Sequence, residues 1–142
     1  MEKMSNAILV VEDNQEDYQI ILRAFKQLGL NSVLRHAGDG EETMNYLLRK
    51  GKYKDTQEYP WPSAILLDLK VPGMDGKEIL QKIKSFSNLK EIPVIMFSTS
   101  FQEQDKIDCN KLGAHSYVEK PVNYYGFIDT VKEISRTIKA LK

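Results

Sequence analysis

With one cysteine, Cys109, the 142-residue chain cannot close an internal disulfide, and its fold must rest on apolar burial. No apolar run approaches the roughly 18 residues that a membrane-crossing helix needs. No basic leader with an apolar core opens the chain, so the expected location is the cytoplasm, with no membrane contact. Neither charge is in excess: Lys and Arg total 20 and Asp and Glu total 20, which argues against direct nucleic-acid binding, since such domains carry a basic face. Internal repeats, low-complexity tracts and interdomain linkers are also missing. A chain of this length fits one hydrophobic core, so residues 1–142 are expected to form a single domain, with none left over for a separate output domain.

What the chain does have is an apolar pattern that changes period repeatedly. Residues 7–11 are a short continuous apolar run ending at acids, which suits a strand buried on both faces of a parallel sheet. Tyr18, Ile21, Leu22, Phe25 and Leu28 then fall at helical spacing, with Asn14 as N-cap, Asp17 three residues on, and Gly29 as terminator. A second strand is expected over 32–36, and a second helix carrying Met44, Leu47 and Leu48 is expected to close at Gly51. Residues 52–62 show no period and read as a loop whose Tyr53, Tyr59 and Trp61 pack inward.

The third strand covers 64–68, followed by turn signals at Pro72-Gly73 and Asp75-Gly76 and by a helix with Ile79, Leu80, Ile83 and Phe86 on one face. The fourth strand, 93–97, runs into Ser98, Thr99 and Ser100, one of the last two being expected to cap a helix over 102–112 that Gly113 closes. A short fifth strand, 116–118, meets Lys120-Pro121, and Phe127, Ile128, Val131, Ile134 and Ile138 mark the last helix. Strict alternation of strand and helix implies parallel pairing, right-handed crossovers and a three-layer α/β/α sandwich.

Ligands of an open α/β sheet bind at the carboxyl ends of its strands. Here those ends are Glu12-Asp13, Asp68, Ser98-Thr99 and the approach to Lys120. Three acids brought together repel one another and attract a hard divalent cation, and Mg²⁺, with its preference for oxygen ligands, is the expected metal. A phosphoryl group would complete the site, with one oxygen to the metal, one to the Lys120 ammonium and one to the Ser98 hydroxyl. A carboxylate such as Asp68 can then serve as nucleophile and form an acyl phosphate, so the site reads as a phosphoryl acceptor.

Through Ile8-Leu9-Val10-Val11-Glu12-Asp13-Asn14, Leu67-Asp68-Leu69-Lys70-Val71-Pro72-Gly73-Met74-Asp75-Gly76, Pro93-Val94-Ile95-Met96-Phe97-Ser98 and Tyr117-Val118-Glu119-Lys120-Pro121, the chain resembles the receiver domain of bacterial two-component response regulators. The resemblance spans nearly the whole chain and implies a doubly wound, flavodoxin-like fold with strand order 2-1-3-4-5. It implies that Asp68 accepts a phosphoryl group from a sensor histidine kinase or phosphotransfer protein, that Asp13 and Asp68 bind Mg²⁺ directly, that Glu12 acts through water, and that the Lys70 carbonyl is a further ligand. Ser98 and Lys120 would bind the phosphoryl oxygens, and Ser98 and Tyr117 would be the switch pair that alters the face made by the fourth helix, fifth strand and fifth helix.

Lys70 and Ser100 occupy the two positions that tune acyl-phosphate lifetime in this family. Ser98 stands where Thr is more frequent and Glu12 where Asp is, each keeping its functional group. The long segment 51–62 resembles the subgroup of stand-alone receivers that includes partners of bacterial phytochrome kinases. The resemblance thus implies a stand-alone switch with limited self-catalysed phosphorylation and dephosphorylation, whose output is carried by another protein and which can pair as a homodimer through the altered face.

Two rivals stand beside this reading. An Asp-nucleophile phosphatase needs a general acid two residues after the nucleophile, and Lys70 occupies that position. A phosphate-independent adaptor would have no use for Glu12, Asp13, Asp68, Ser98 and Lys120 together. A flavin or nucleotide site is poorer still, because no glycine-rich loop follows the first strand. His36 and His115 are read as structural or surface residues, and Cys109 as a helix-face residue without redox partners.

Overall fold

Continuous apolar runs become strands wherever both faces of a sheet are covered. In the computed structural model, which describes residues 6–30, 33–100 and 102–141, the chain runs β1 (Ile8–Val11), α1 (Gln15–Gln27), β2 (Leu34–Ala37), α2 (Gly40–Leu47), β3 (Ala64–Leu67), β4 (Lys70–Val71), β5 (Met74–Asp75), α3 (Gly76–Ser85), β6 (Val94–Ser98), α4 (Glu103–Lys111), β7 (Ser116–Glu119) and α5 (Tyr124–Ala140). The main sheet has the order β2-β1-β3-β6-β7 and every pairing in it is parallel. This is the expected 2-1-3-4-5 order, since β4 and β5 form a separate antiparallel ribbon. The start of the expected second strand, residue 32, lies outside the described residues.

Side chains alternate across the sheet and build two cores. Leu9, Val11, Ile65, Leu67, Val94 and Met96 face α2, α3 and α4, meeting Leu47, Ile79, Leu80, Ile83 and Cys109. Ile8, Val10, Leu66, Ile95 and Phe97 face α1 and α5, meeting Ile21, Phe25, Phe127, Val131 and Ile134. Each such side chain, buried fully, contributes about 1.5–3 kcal/mol, which sets the register firmly. Val11 lies opposite Ala37 and Leu67, Leu67 opposite Met96, and Ser98 opposite Glu119, so the strand ends with their polar residues share one edge.

Helix boundaries bear out most of the expected signals. Asn14 caps α1 by accepting from the Asp17 N–H at 3.0 Å, and Gly29 takes φ +71° just beyond it. The expected close of the second helix at Gly51 is corrected: α2 ends at Leu47, and Arg49 takes the left-handed backbone, φ 60°, before Gly51 opens a 3₁₀ turn, Gly51–Lys54. A non-glycine residue costs about 1–2 kcal/mol there. Arg49 offsets that by donating to the Tyr53 and Tyr59 carbonyls and by lying over the Tyr46 and Trp61 rings.

The aromatics of segment 52–62 pack inward while Lys52 and residues 54–58 stay exposed: Tyr53 is buried, the rings of Tyr46, Tyr53 and Tyr59 contact one another, and the Tyr46 hydroxyl donates to the Pro60 carbonyl at 2.7 Å. Two further expectations are corrected. Phe86 is the C-cap of α3 and 37% exposed, because the helix ends one residue before it. The N-cap of α4 is Gln102, not Thr99 or Ser100; Ser100 Oγ accepts instead from the Gln102 N–H and donates to Asp105.

Candidate functional site

The edge where β1, β3, β6 and β7 end is also where, among the described residues, the buried charged groups Glu12, Asp68 and Lys120 lie, together with buried Ser98. Glu12 follows β1 with only 2% of its surface exposed, because β1 is flanked on both sides and its end is covered by the turn into α1. Its carboxylate accepts from the Asn14 N–H at 3.2 Å, and its carbonyl is bonded by His36 Nε2 at 2.7 Å, the imidazole stacking on Tyr18 with 4.0 Å between ring centroids. Asp13, next in the chain, is exposed.

Asp68 follows β3, and its Oδ1 accepts from the Lys70 N–H at 3.2 Å. Gly76 makes that turn possible. A Cβ there would stand 2.4 Å from the Asp68 carbonyl oxygen and 2.6 Å from Leu69 Cα, so the start of α3 can approach the Asp68 backbone only as glycine. Lys70 is in β4 with its side chain exposed.

Lys120 closes the group from the end of β7. Its Nζ donates to Glu12 Oε1 at 2.6 Å, Asp68 Oδ2 at 2.8 Å and Asp17 Oδ2 at 2.9 Å, with only 3% of its side chain exposed. Burial works against the ammonium, but the Asp68 charge and the bonds to Asp68 and Glu12 outweigh it and hold Lys120 above the usual lysine range. Burial also pushes Glu12 up to about 7, in spite of the bond and charge of Lys120. A single ammonium thus faces more acids than it can neutralise.

Glu12, Asp13 and Asp68 each offer one carboxylate oxygen within 4.8 Å of the others. Oxygen donors alone, at that spacing and with surplus negative charge, fit a hard divalent cation.

The hydroxyl residues stand beside this group. Ser98, fully buried at the end of β6, accepts on Oγ from the Ser100 N–H at 3.4 Å, while its carbonyl accepts from the Lys120 N–H at 2.8 Å. Half-buried Tyr117 donates its hydroxyl to the Ser100 carbonyl at 3.2 Å; burial raises that hydroxyl above its ordinary range, and contacts with Ser100 and Ser98 partly offset this. Ser98, Ser100 and Tyr117 therefore form one hydrogen-bonded cluster next to Lys120.

The structure thus brings together Glu12, Asp13, Asp68 and Lys120, with Ser98 and Tyr117 joined through Ser100 and with Lys70 contributing an N–H to Asp68. Two participants escaped the sequence reading. Asp17, taken as part of the cap of α1, also reaches Lys120, and His36, given no role, anchors the Glu12 backbone. An acid in the first turn of a helix that starts at an acidic strand end was the available signal for Asp17. For His36 there was none, because its place depends on the pairing of β1 with β2.

Residues 8–132 match the family model of the response regulator receiver domain. The chain is 35% identical over 128 residues to "Probable methanogenesis regulatory protein FilR2" of Methanothrix harundinacea, covering 89% of this chain and 79% of that one. It is 35% identical over 127 residues to response regulator Rcp1 of Synechocystis sp., covering 89% of this chain and 84% of Rcp1. Among solved structures, the phosphorylated cyanobacterial phytochrome response regulator RcpA superposes with a TM-score of 0.88 at 34% identity, covering 100% of this chain and 97% of RcpA. The Mn²⁺-bound form of Rcp1 gives 0.83 at 34% identity, covering 92% and 91%.

Proposed function

The chain belongs to the response regulator receiver family and is a phosphoacceptor switch of two-component signalling; we propose that Asp68 is its acceptor, in a Mg²⁺-dependent reaction with a histidine kinase or phosphotransfer protein. One observation carries the residue assignment. Glu12 and Asp68 both bond Lys120 and both belong to the cation-capable acid group, but the Asp68 side chain is 10% exposed against 2% for Glu12. A nucleophile must be reached, and Asp68 is the more open of the two.

An Asp68 carboxylate oxygen attacks phosphorus, the bond from phosphorus to the donor's imidazole nitrogen breaks, and that nitrogen leaves with the bonding pair. The product is an acyl phosphate. Lys120 meets the charge that has moved from the carboxylate to the phosphoryl oxygens, and the Ser98 hydroxyl, released from the Ser100 N–H, is the further donor. Mg²⁺ held by Asp13, Asp68 and the Lys70 carbonyl, with Glu12 acting largely through water, would neutralise charge gathering on the phosphoryl oxygens.

Ser98 and Tyr117 then act as the switch pair, since the Ser100 segment that Ser98 bonds also carries the carbonyl to which Tyr117 donates. Lys70 and Ser100, flanking the site, set how long the acyl phosphate lasts, and the chain catalyses its own phosphorylation from small donors and its own dephosphorylation to a limited extent.

We assign the output to the face of α4, β7 and α5, read by another protein or by a second copy of this chain, in the cytoplasm and without direct nucleic-acid contact. Among the described residues no helix is long and apolar enough to cross a membrane. The single-domain reading is supported by the coverage of Rcp1 and RcpA, whose own chains are matched over most of their length. The description of RcpA as a phytochrome response regulator makes a phytochrome-type kinase the first donor to test.

The experiment is intact-protein mass spectrometry after incubation with Mg²⁺ and acetyl phosphate. One base-labile phosphoryl increment is expected, absent in Asp68→Asn and in EDTA. An undiminished increment in Asp68→Asn would overturn the assignment.

A further inference from the structure

An ammonium has three N–H donors, and the structure uses all three of those on Lys120: 2.6 Å to Glu12, 2.8 Å to Asp68 and 2.9 Å to Asp17. Glu12 and Asp68 belong to the acid group able to hold a cation, and Asp17 does not. Asp17 also differs in where it stands. It comes from the first turn of α1, where its own N–H is fixed by Asn14 Oδ1 at 3.0 Å, and its side chain is 24% exposed while that of Lys120 is 3% exposed.

We propose that Asp17 is a positioning residue for phosphoryl transfer, the permanent counter-ion to which Lys120 stays bonded while its other two donors change partners. The inference rests on Asp68 being the phosphoacceptor. Lone pairs that Glu12 and Asp68 commit to a cation are withdrawn from Lys120. Phosphorylation turns one Asp68 oxygen into the bridging oxygen of an acyl phosphate, a weak acceptor. Both donors freed in this way pass to phosphoryl oxygens, and the bond to Asp17 is the one that neither event consumes.

Without it the four-carbon side chain could swing into the open groove beside the site, a space of about 390 Å³ bordered by Asn14, Thr99, Pro121 and Asn123. Asp17, fixed on a helical turn, removes that freedom and so keeps Nζ where the phosphoryl oxygens arrive.

The test compares the wild type with Asp17→Asn, Asp17→Glu and Glu16→Gln. The last removes an equal charge from the same turn of α1 without touching the three bonds of Lys120. Beryllofluoride, a phosphoryl mimic, is titrated calorimetrically into each Mg²⁺-saturated protein, Mg²⁺ affinity is measured separately, and phosphorylation by acetyl phosphate is timed by intact mass. Asp17→Asn is expected to weaken beryllofluoride binding roughly three- to fivefold and to slow phosphorylation by a similar factor, as the loss of one partly exposed charge pair should. Its Mg²⁺ affinity and melting temperature should match those of Glu16→Gln, and Asp17→Glu, which keeps the charge, should bind the mimic as the wild type does.

Asp17→Asn binding beryllofluoride as well as Glu16→Gln, or Asp17→Glu falling as far as Asp17→Asn, would overturn the proposal. If the wild type itself takes up neither phosphate nor mimic, it is the acceptor reading that fails.

Discussion

Removing divalent metal should make the protein more stable in mild acid than in mild base, the reverse of what a cluster of carboxylates ordinarily produces. The cause is Glu12, whose burial raises its pKa from 4.5 to about 7. A carboxyl that binds its proton more tightly folded than unfolded adds stability that is fully present below the unfolded value and lost as pH rises through the folded one. Between pH 5.5 and 8 that loss is about 2 kcal/mol. The other displaced acids do not interfere, since Asp105 and Asp108 are lowered by their bonds to Lys77 and act below this window.

The assay is urea unfolding in EDTA at several pH values. Glu12→Gln should flatten the profile, and saturating Mg²⁺ should reverse its slope, because the cation competes with the proton for the same oxygens. A stability that stays level or rises from pH 5.5 to 8 in EDTA would refute the reasoning.

Three other outcomes follow from the packing. Gly76→Ala should lower stability by about 2–3 kcal/mol and weaken Mg²⁺ binding, because its Cβ would press on the Asp68 carbonyl and Leu69 backbone; denaturant unfolding and calorimetry check both. Cys109, fully buried on α4 with its thiol pushed up to about 11, should resist Ellman's reagent in the native protein at pH 8 and react once unfolded. Tyr46→Phe should cost about 1 kcal/mol in urea unfolding, since it leaves the Pro60 carbonyl without the hydroxyl donor now 2.7 Å away.

The five-stranded sheet was legible because parallel strands covered on both faces are apolar nearly throughout, as β1 and β3 are at every position and β6 is up to its terminal Ser98. Once the strands are known, the residues after them must share an edge, which is why Glu12, Asp68, Ser98 and Lys120 could be grouped from sequence. Contacts set by side-chain reach were not legible. Asp17 and Lys120 are 103 residues apart, and nothing local marks them as partners. The Arg49 backbone was hidden for a similar reason: its left-handed φ is compensated by Tyr53, Tyr59 and Trp61, all later in the chain, whereas Gly51 offered the more obvious local stop. The cap of α4 failed because Ser100 is committed through its hydroxyl to Asp105 and through its carbonyl to the Tyr117 hydroxyl, leaving the helix to begin after Gln102.

That last exchange bears on how a change at Asp68 could reach the surface. α4 has no apolar stripe and buries one residue, Cys109. It is held at its rim instead, by Lys77 of α3 bonded to Asp105 at 2.7 Å and Asp108 at 2.9 Å, and by Lys106 bonded to Glu119 of β7 at 2.8 Å. Pairs this exposed to water contribute little and can be exchanged one for another, so shifting α4 costs far less than shifting α3 or α5, whose Ile79, Leu80, Ile83, Phe127 and Val131 are locked in the two cores. The same Asp105 that Lys77 bonds also accepts from Ser100, and Ser100 gives its N–H to Ser98 at the site. On the proposed roles of Asp68 and Ser98, a phosphoryl group that drew the Ser98 hydroxyl toward Asp68 would pull first on the element with the weakest hold on the core, and a preference of a few kcal/mol between two placements of α4 would be enough to alter the face it shares with β7.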